Sequence, residues 1–290
     1  MATAGTKESN VDRLPSRLSP SRLGDFRQCP AKFYFGSIAK LPRPATEATT
    51  VGTLAHSAFE RVFDHPRGER TPDLAVTYVR PAWEEIKAEK NYEPVRDMGD
   101  ALIERAEHMV RSWFGLEDPN KFDPIGREMK LMSEMAGVPL LGILDRVDRM
   151  KVNGVDRVYI SDYKTGKPPK PNDRFMSEKF FAMRAYALLW HTVQGEMPYE
   201  LRLVYVAGGT KEHVHRLQVD EKLLRATREE LKGLVKAIQR SAEMGEWECK
   251  QQPLCQWCDF IDLCPQWHPE LAGMPIGEIK VRYEGGTLFD

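Results

Sequence analysis

Alternating apolar and polar positions predict a block of strands in the middle of the chain. Such runs cover residues 124–134, 138–150 and 156–164, and short segments that contain glycine separate them. The segment between the second and third runs contains Asn153-Gly154, a pair that is typical of a tight turn between antiparallel strands. We therefore expect an antiparallel meander of three strands.

Apolar residues spaced three and four apart predict helices on both sides of this block. The predicted helices cover 50–64, 72–90, 97–114, 175–192 and 220–243. Two more alternating runs predict further strands over 199–206 and 212–219. Ser19 followed by Pro20 is typical of a helix start. From residue 50 the expected order is helix, helical insertion over 71–116, three strands, helix and strand, then an added strand and a closing helix.

Length and composition predict a globular chain with a sizeable core. The 290 residues are 41% hydrophobic, which allows one large domain or two small ones. We expect a disordered arm over 1–17, one domain over 18–269 and a tail over 270–290. No run of about 18 apolar residues and no apolar signal core occurs, so we expect no membrane span and a cytoplasmic protein. The net charge of −1 neither favours nor excludes nucleic acid.

Three polar residues give the predicted hairpin a candidate chemistry. Asp162 and Lys164 are two apart, so both side chains leave one face of their strand, and Asp145 lies at a matching distance from the turn. Carboxylates bind Mg²⁺ or Mn²⁺, and a lysine can orient the attacking water or offset charge on phosphate. The pattern favours metal-dependent hydrolysis of phosphodiesters. The alternative is an exposed ion pair without function.

The spacing of these residues resembles the core motif of PD-(D/E)xK nucleases. The phrases GILDRVDR (142–149) and DYKTGK (162–167) resemble its RecB-type exonuclease branch. The resemblance implies an α/β fold with a mixed sheet and a restriction-endonuclease-like core in the order αβββαβ, with the helical insertion added. It also selects Asp145 over Asp148, which we interpret as a structural or ion-paired residue.

The resemblance extends to a histidine in the helix that precedes the strands. The phrase GTLAHSAFE (52–60) is similar to a family motif whose histidine completes the metal site. It implies that His56, Asp145, Asp162 and the backbone carbonyl of Tyr163 bind Mg²⁺ or Mn²⁺. It also implies that catalysis depends on His56, Asp145, Asp162 and Lys164.

Contacts with substrate are predicted downstream of the hairpin. Tyr186 resembles a tyrosine that the family places four residues after a glutamine, but residue 182 of this chain is alanine. This departure puts full activity in doubt, and Tyr186 is either a substrate contact or part of the core. Lys167, Lys170 and Arg174 form either a rim that contacts phosphates or a solvated loop.

Four cysteines near the C-terminus predict a metal centre. Cys255-x2-Cys258 allows two sulfurs to reach one centre, Cys264 follows, and Cys249 precedes them. Four cysteines suit either a 4Fe–4S cluster or a tetrahedral Zn²⁺, and free reduced thiols are the third alternative. Three tryptophans and a phenylalanine accompany them and either shield the centre or stack on bases: Trp247, Trp257, Phe260 and Trp267.

The N-terminal phrase LSPSRLGDFRQCPAKFYF (18–35) resembles RecB-type nucleases that contain an iron–sulfur cluster. Together with the spacing of the C-terminal cysteines, it is similar to the AddB and CRISPR-adaptation nucleases. The resemblance implies a 4Fe–4S cluster held by Cys29, Cys255, Cys258 and Cys264. The cluster would then link Cys29 to the segment 249–267. A local set with Cys249 in place of Cys29 remains an alternative.

These expectations combine into a functional hypothesis. The chain is expected to be a Mg²⁺- or Mn²⁺-dependent deoxyribonuclease, an exonuclease that acts on DNA ends or single-stranded DNA in repair or recombination. The alternative is a DNA-end-binding or structural subunit of a repair or CRISPR-adaptation complex with weak or no cleavage. The sequence contains no P-loop motif, so a helicase or repair motor that works with it would be another polypeptide.

Overall fold

A five-stranded mixed sheet forms the centre of the fold. The computed structural model describes residues 14–170, 176–208, 210 and 213–279. The strands follow one another in space in chain order: β1 (Pro124–Met135), β2 (Val138–Val152), β3 (Val155–Lys164), β4 (Glu200–Tyr205) and β5 (Val214–Gln218). Strands β2 and β3 pair antiparallel, β3 and β4 parallel, and β4 and β5 antiparallel. The predicted α/β class with a mixed sheet is confirmed.

The hairpin of β2 and β3 is tighter than its sequence indicated. Its register runs from Arg146 opposite Ser161 to Val152 opposite Val155, which leaves a turn of only two residues. Asn153 has a φ of 52° and Gly154 a φ of 80°, the left-handed conformations that a type I′ turn requires. The Asn-Gly pair therefore sets the register of both strands.

Helices precede and follow the sheet in the predicted order. They are α1 (Pro20–Gln28), α2 (Pro30–Phe33), α3 (Glu47–Arg61), α4 (Pro72–Val76), α5 (Val79–Ile86), α6 (Gly99–Leu116), α7 (Met176–Lys179), α8 (Phe181–Gln194) and α9 (Glu221–Met244). Ser19 caps α1 by accepting a hydrogen bond from the backbone of Arg22, as predicted. Among the described residues, no helix has both the length and the apolar character needed to cross a membrane.

Two predicted helices are interrupted. The predicted helix 72–90 is wrong as a single helix, because a new helix begins at Val79. Pro81 lies in the first turn of α5, where its missing N–H group breaks no helical hydrogen bond. The predicted helix 175–192 is likewise divided at Phe180, and its first residue lies outside the described residues. Helix α8 ends at Gly195, whose φ of 69° is the left-handed conformation that closes many helices.

The chain divides into two compact units, and each is described by itself. The larger comprises 44–133 and 142–227, and the smaller comprises the described residues of 14–43, 134–141 and 228–279. The predicted boundaries of one domain over 18–269 remain a prediction. Part of the predicted tail belongs to the core of the smaller unit, because Leu271, Ile276 and Ile279 are buried.

Aromatic packing positions the helix that bears His56 in the larger unit. Phe59 of α3 lies with its ring centre 4.7 Å from that of Tyr163 in β3 and 5.1 Å from that of Trp113 in α6. All three side chains are at most 4% exposed. Burial of such large apolar surfaces stabilises the contact by a few kcal/mol per side chain, of the order of 1.5–3 for phenylalanine. The helix α3 is thereby fixed against the end of β3.

A second aromatic cluster joins the N- and C-terminal segments of the smaller unit. Trp247 is 4% exposed, stacks on Phe33 with ring centres 5.8 Å apart, and meets the edge of Phe26. The backbone N–H of Ala31 donates to the carbonyl of Glu248. These contacts hold Cys29 beside the cysteine-rich segment near the C-terminus.

Candidate active site and cysteine cavity

The backbone of Tyr163 links two of the predicted site residues. Its N–H group donates to Asp145 Oδ2 at 2.8 Å, and its carbonyl oxygen lies 3.1 Å from His56 Nε2. The other ring nitrogen of His56 lies 3.5 Å from Asp145 Oδ2. The structure therefore brings to one place the imidazole of His56 in α3, the carboxylate of Asp145 in β2 and the carbonyl of Tyr163 near the end of β3.

Asp162 and Lys164 lie at the same end of the hairpin. Arg146 pairs with Ser161, so the next step along the register sets Asp145 opposite Asp162. Lys164 Nζ lies 2.5 Å from Asp162 Oδ2, and Asp162 is 6% exposed. Burial lowers the pKa of Lys164, but the negative charges of Asp162 and Asp145 outweigh it and leave that pKa raised. The lysine is therefore a permanent cation beside the carboxylates.

A third carboxylate, which the sequence analysis did not assign to the site, completes the cluster. Donor atoms of His56, Asp145 and Glu128 all lie within 4.8 Å of one another. Glu128 lies in β1 with a φ of 43°, a left-handed conformation that interrupts the alternation of a strand. The alternation of side chains along a regular strand could not have identified Glu128, and no motif in the neighbouring sequence includes it. Only the folded arrangement reveals it.

The electrostatics of the cluster favour a bound cation. Burial, followed by the charges of Asp162 and Glu128, raises the pKa of Asp145 to about 8. Burial also raises the pKa of Glu128, with contributions from Glu60 and Asp162. Burial lowers the pKa of His56, and Lys164 adds to this effect, so the imidazole is neutral at neutral pH. Neutral imidazole and crowded carboxylates are the donor set that a divalent metal ion requires, so the residues fit such an ion.

An open cleft of about 840 Å³ gives access to these groups. Its lining includes His56, Glu128, Asp145 and Tyr186. Tyr186 is thus at the cleft rather than wholly in the core, and Ala182 stands one turn before it in α8. Lys167 and Lys170 are exposed after β3. Arg174, the remaining predicted phosphate contact, lies outside the described residues.

The opposite face of the hairpin contains a buried ionic network that the sequence analysis did not identify. Arg146 is 1% exposed and forms a bidentate pair with Glu117, at 2.8 Å for each bond. It also donates to Asp148 Oδ2 at 2.9 Å and to the hydroxyl group of Tyr163. Asp148 is therefore ion-paired on the face opposite the cleft, in agreement with its interpretation as a structural residue. Glu117 follows α6 and is distant from Arg146 in the sequence, so no local sequence pattern predicts this ion pair.

Four cysteines line a small cavity in the smaller unit. They are Cys29, Cys255, Cys258 and Cys264. Backbone N–H groups donate to two of their sulfur atoms, from Lys250 to Cys29 at 3.5 Å and from Gln252 to Cys255 at 3.3 Å. These are the four cysteines of the predicted set that includes Cys29, rather than the local set that includes Cys249.

Cys249 has a different position from these four. Its thiol hydrogen-bonds with the sulfur atoms of Cys29 and Cys264, which lowers the pKa of Cys29 to about 5 and that of Cys264 to about 6. The same two contacts raise the pKa of Cys249 itself. The contact with Cys249 therefore favours the thiolate form of Cys29 and Cys264, which is the form that binds metals.

The aromatic residues near the cysteines do not share one environment. Trp247 and Phe260 are buried, whereas Trp257 is 74% exposed. Trp267 lines the cavity and is 41% exposed. The interpretation that all four aromatic side chains shield the cavity from solvent is therefore wrong for Trp257.

Comparisons with known proteins identify one family. Residues 17–265 match the family model described as the PD-(D/E)XK nuclease superfamily. No curated protein matches the chain. A crystal structure of a "putative exonuclease" from Eubacterium rectale is similar to it at 13% identity, over 89% of this chain and 92% of that one, with a TM-score of 0.43.

Proposed function

The chain belongs to the PD-(D/E)XK nuclease superfamily, and from this we propose that it is a metal-dependent deoxyribonuclease of the RecB type. The observation that carries the proposal is the convergence of His56, Asp145 and the Tyr163 backbone at the mouth of an open cleft. The sheet and the helices around it are those of a restriction-endonuclease-like fold. The site therefore combines the family's architecture with the donor groups that its chemistry needs.

Members of this superfamily use divalent metal ions, and the residues that would hold one here are His56, Asp145, Glu128 and the Tyr163 carbonyl. Asp162 contributes charge to the same site and remains a proposed ligand. The raised pKa of Asp145 supports this proposal, because burial and the charges of neighbouring carboxylates outweigh the effect of Lys164 and favour a further cation at the site. Mg²⁺ or Mn²⁺, when bound, polarises a phosphoryl oxygen and makes a bound water more acidic.

Lys164 has a separate role in the proposed reaction. Its ammonium group forms an ion pair with the carboxylate of Asp162. We propose that its ammonium group donates a hydrogen bond to a phosphate oxygen as negative charge develops there, or that it orients the attacking water. Asp162 keeps the ammonium group charged and in place. Tyr186, at the cleft, is the proposed contact for the substrate.

The finer substrate assignment rests on the phrases GILDRVDR and DYKTGK. They support an exonuclease that acts on DNA ends or single-stranded DNA in repair or recombination. Lys167 and Lys170, exposed after β3, are the proposed phosphate contacts of the strand that leaves the site. A helicase or repair protein would act as a separate partner in the cytoplasm.

A digestion assay tests this proposal. Linear and circular DNA, single- and double-stranded and end-labelled where linear, is incubated with the protein in Mg²⁺, in Mn²⁺ and in EDTA. We expect metal-dependent loss of linear DNA and resistance of circular DNA. Lys164→Ala should abolish cleavage but leave DNA binding intact, whereas Lys151→Ala, at the turn end of the same hairpin, should cleave normally. Cleavage by Lys164→Ala at the wild-type rate would contradict the assignment of the lysine.

The second candidate function is a DNA-end-binding subunit with little cleavage. Ala182 favours it, because the family's glutamine amide is missing one turn before Tyr186. Tight binding of DNA ends without cleavage in either metal would support it. Restoration of activity by Ala182→Gln would show that the lost amide is the cause.

We also propose that Cys29, Cys255, Cys258 and Cys264 hold a 4Fe–4S cluster. The four cysteines line one small cavity, and their sequence context resembles that of nucleases that contain such a cluster. Backbone N–H donors to the sulfurs are typical of such clusters and tune them. Anaerobic purification followed by iron, sulfide and zinc analysis distinguishes the two metals, and a colourless protein with stoichiometric zinc would contradict the cluster.

A further inference from the structure

We infer that Arg146 is a positioning residue of the active site, which fixes the backbone of Tyr163 and through it His56 and Asp145. The inference rests on the proposed function, because it concerns the same cation site. Arg146 lies on the buried face of the hairpin and touches none of the groups in the cleft. It would act only through its neighbours.

Every N–H group of the Arg146 guanidinium has an acceptor. The Nε atom donates to Asp148, and the two terminal nitrogens donate to both oxygens of Glu117. The remaining two N–H groups reach the hydroxyl groups of Tyr163 and, at 3.4 Å, of Ser161. A guanidinium with all five donors engaged has one orientation.

Tyr163 transmits this orientation to the cleft. Its hydroxyl group is held by Arg146, and its ring packs between Phe59 and Trp113. Its backbone N–H and carbonyl contact Asp145 and His56 on the other side of the strand. The side chain of Tyr163 contacts the buried network and its backbone contacts the cleft groups. A shift of the ring would therefore displace His56 and Asp145.

Stability alone does not account for such a network. Two carboxylates surround one guanidinium in the interior, and Asp148 Oδ1 has no hydrogen-bond partner within the described part of the chain. Buried ion pairs often contribute little net stability, since the desolvation of the charges offsets their attraction. A guanidinium whose five N–H donors are all engaged does, however, specify one geometry. The network lies directly behind the proposed cation site, where one fixed geometry would hold the metal-binding groups in place.

A matched pair of variants tests the inference. Arg146→Lys keeps the charge but loses the forked donors, and Arg70→Lys makes the same change in another buried arginine of the same unit. Arg70 is 5% exposed, and its guanidinium donates to the carbonyls of His65, Pro119 and Phe122, none of which lines the cleft. Tyr163→Phe removes only the hydroxyl group and serves if Arg146→Lys fails to fold. For each protein we would measure Tm, the Kd for Mn²⁺ by electron paramagnetic resonance, the Kd for DNA in EDTA, and kcat and KM.

The expected result separates positioning from stability. Arg146→Lys and Tyr163→Phe should raise the Kd for Mn²⁺, by about tenfold for the lysine variant, and lower kcat with the Kd for DNA unchanged. Arg70→Lys should lower Tm with wild-type Mn²⁺ affinity. Wild-type Mn²⁺ affinity and kcat in both network variants, well below their Tm, would overturn the inference while the proposed function stands. A wild-type protein that neither binds Mn²⁺ nor cleaves DNA would instead defeat the proposed function.

Discussion

Replacement of Asp145 by asparagine should stabilise the metal-free protein while it abolishes cleavage. Asp145 lies in a buried cluster with Glu128 and Asp162, whose charges repel its own and raise its pKa to about 8. Asparagine has the same shape and can still accept the hydrogen bond from the Tyr163 N–H. It removes the charge, and with it both the repulsion and the strongest anionic donor for a metal ion.

The size of the effect follows from the pKa. An acid whose folded-state pKa is raised contributes stability that is complete below its unfolded pKa and lost as the pH rises through its folded pKa. At pH 7, about three units above the unfolded pKa of Asp145, the unfolded chain releases a proton that the folded protein retains. This difference costs the folded protein at most ~4 kcal/mol. Asp145 interacts electrostatically with Glu128, whose pKa is also raised, so we expect about 1–2 kcal/mol. For a chain of 290 residues that gain corresponds to a rise in Tm of roughly 2–3 °C.

Thermal melts in EDTA, from about pH 5 to about pH 8.5, test this prediction. The advantage of Asp145→Asn over wild type should be small at the acid end and grow with pH. Mn²⁺ should then raise the Tm of wild type more than that of the variant. Asp156→Asn, an exposed change near the turn of the same hairpin, is the control and should melt like wild type at every pH. A variant that melts below wild type at the alkaline end in EDTA would refute the reasoning.

Three further predictions address other parts of the fold. Glu128→Gln should weaken Mn²⁺ binding about tenfold or more, as measured by titration, without a loss of Tm in EDTA, because it also removes a buried repulsive charge; unchanged affinity would remove Glu128 from the site. Gly154→Ala should lower the free energy of unfolding by about 1–2 kcal/mol in urea melts, because a Cβ atom is strained at its φ of 80°. Cys29→Ser and Cys255→Ser should each lose bound iron and stability, whereas Cys249→Ser should retain the iron; loss of iron from Cys249→Ser with retention in Cys29→Ser would assign the local cysteine set.

The hairpin and its three polar residues could be read from the sequence because their signals are local. A two-residue Asn-Gly turn and the period of two place Asp145, Asp162 and Lys164 without knowledge of the remaining fold. His56 came from a resemblance to a family phrase, since a lone histidine on a helix has no pattern of its own. Glu128 and Glu117 could not be found in this way. The first depends on a left-handed residue inside a strand, and the second depends on a contact with Arg146 across 29 positions.

The alternation of side chains along the hairpin assigns one chemistry to each face. On β3 the cleft face carries Asp162 and Lys164, and the buried face carries Ser161 and Tyr163. On β2, Asp145 and Arg146 divide in the same way. A slip of one residue in the register would exchange the faces, so that the catalytic carboxylates would enter the core and the guanidinium would enter the cleft. The Asn153-Gly154 turn, at the far end of the hairpin, prevents this slip. The geometry of the site therefore depends on a turn that it never touches, as well as on the network behind it.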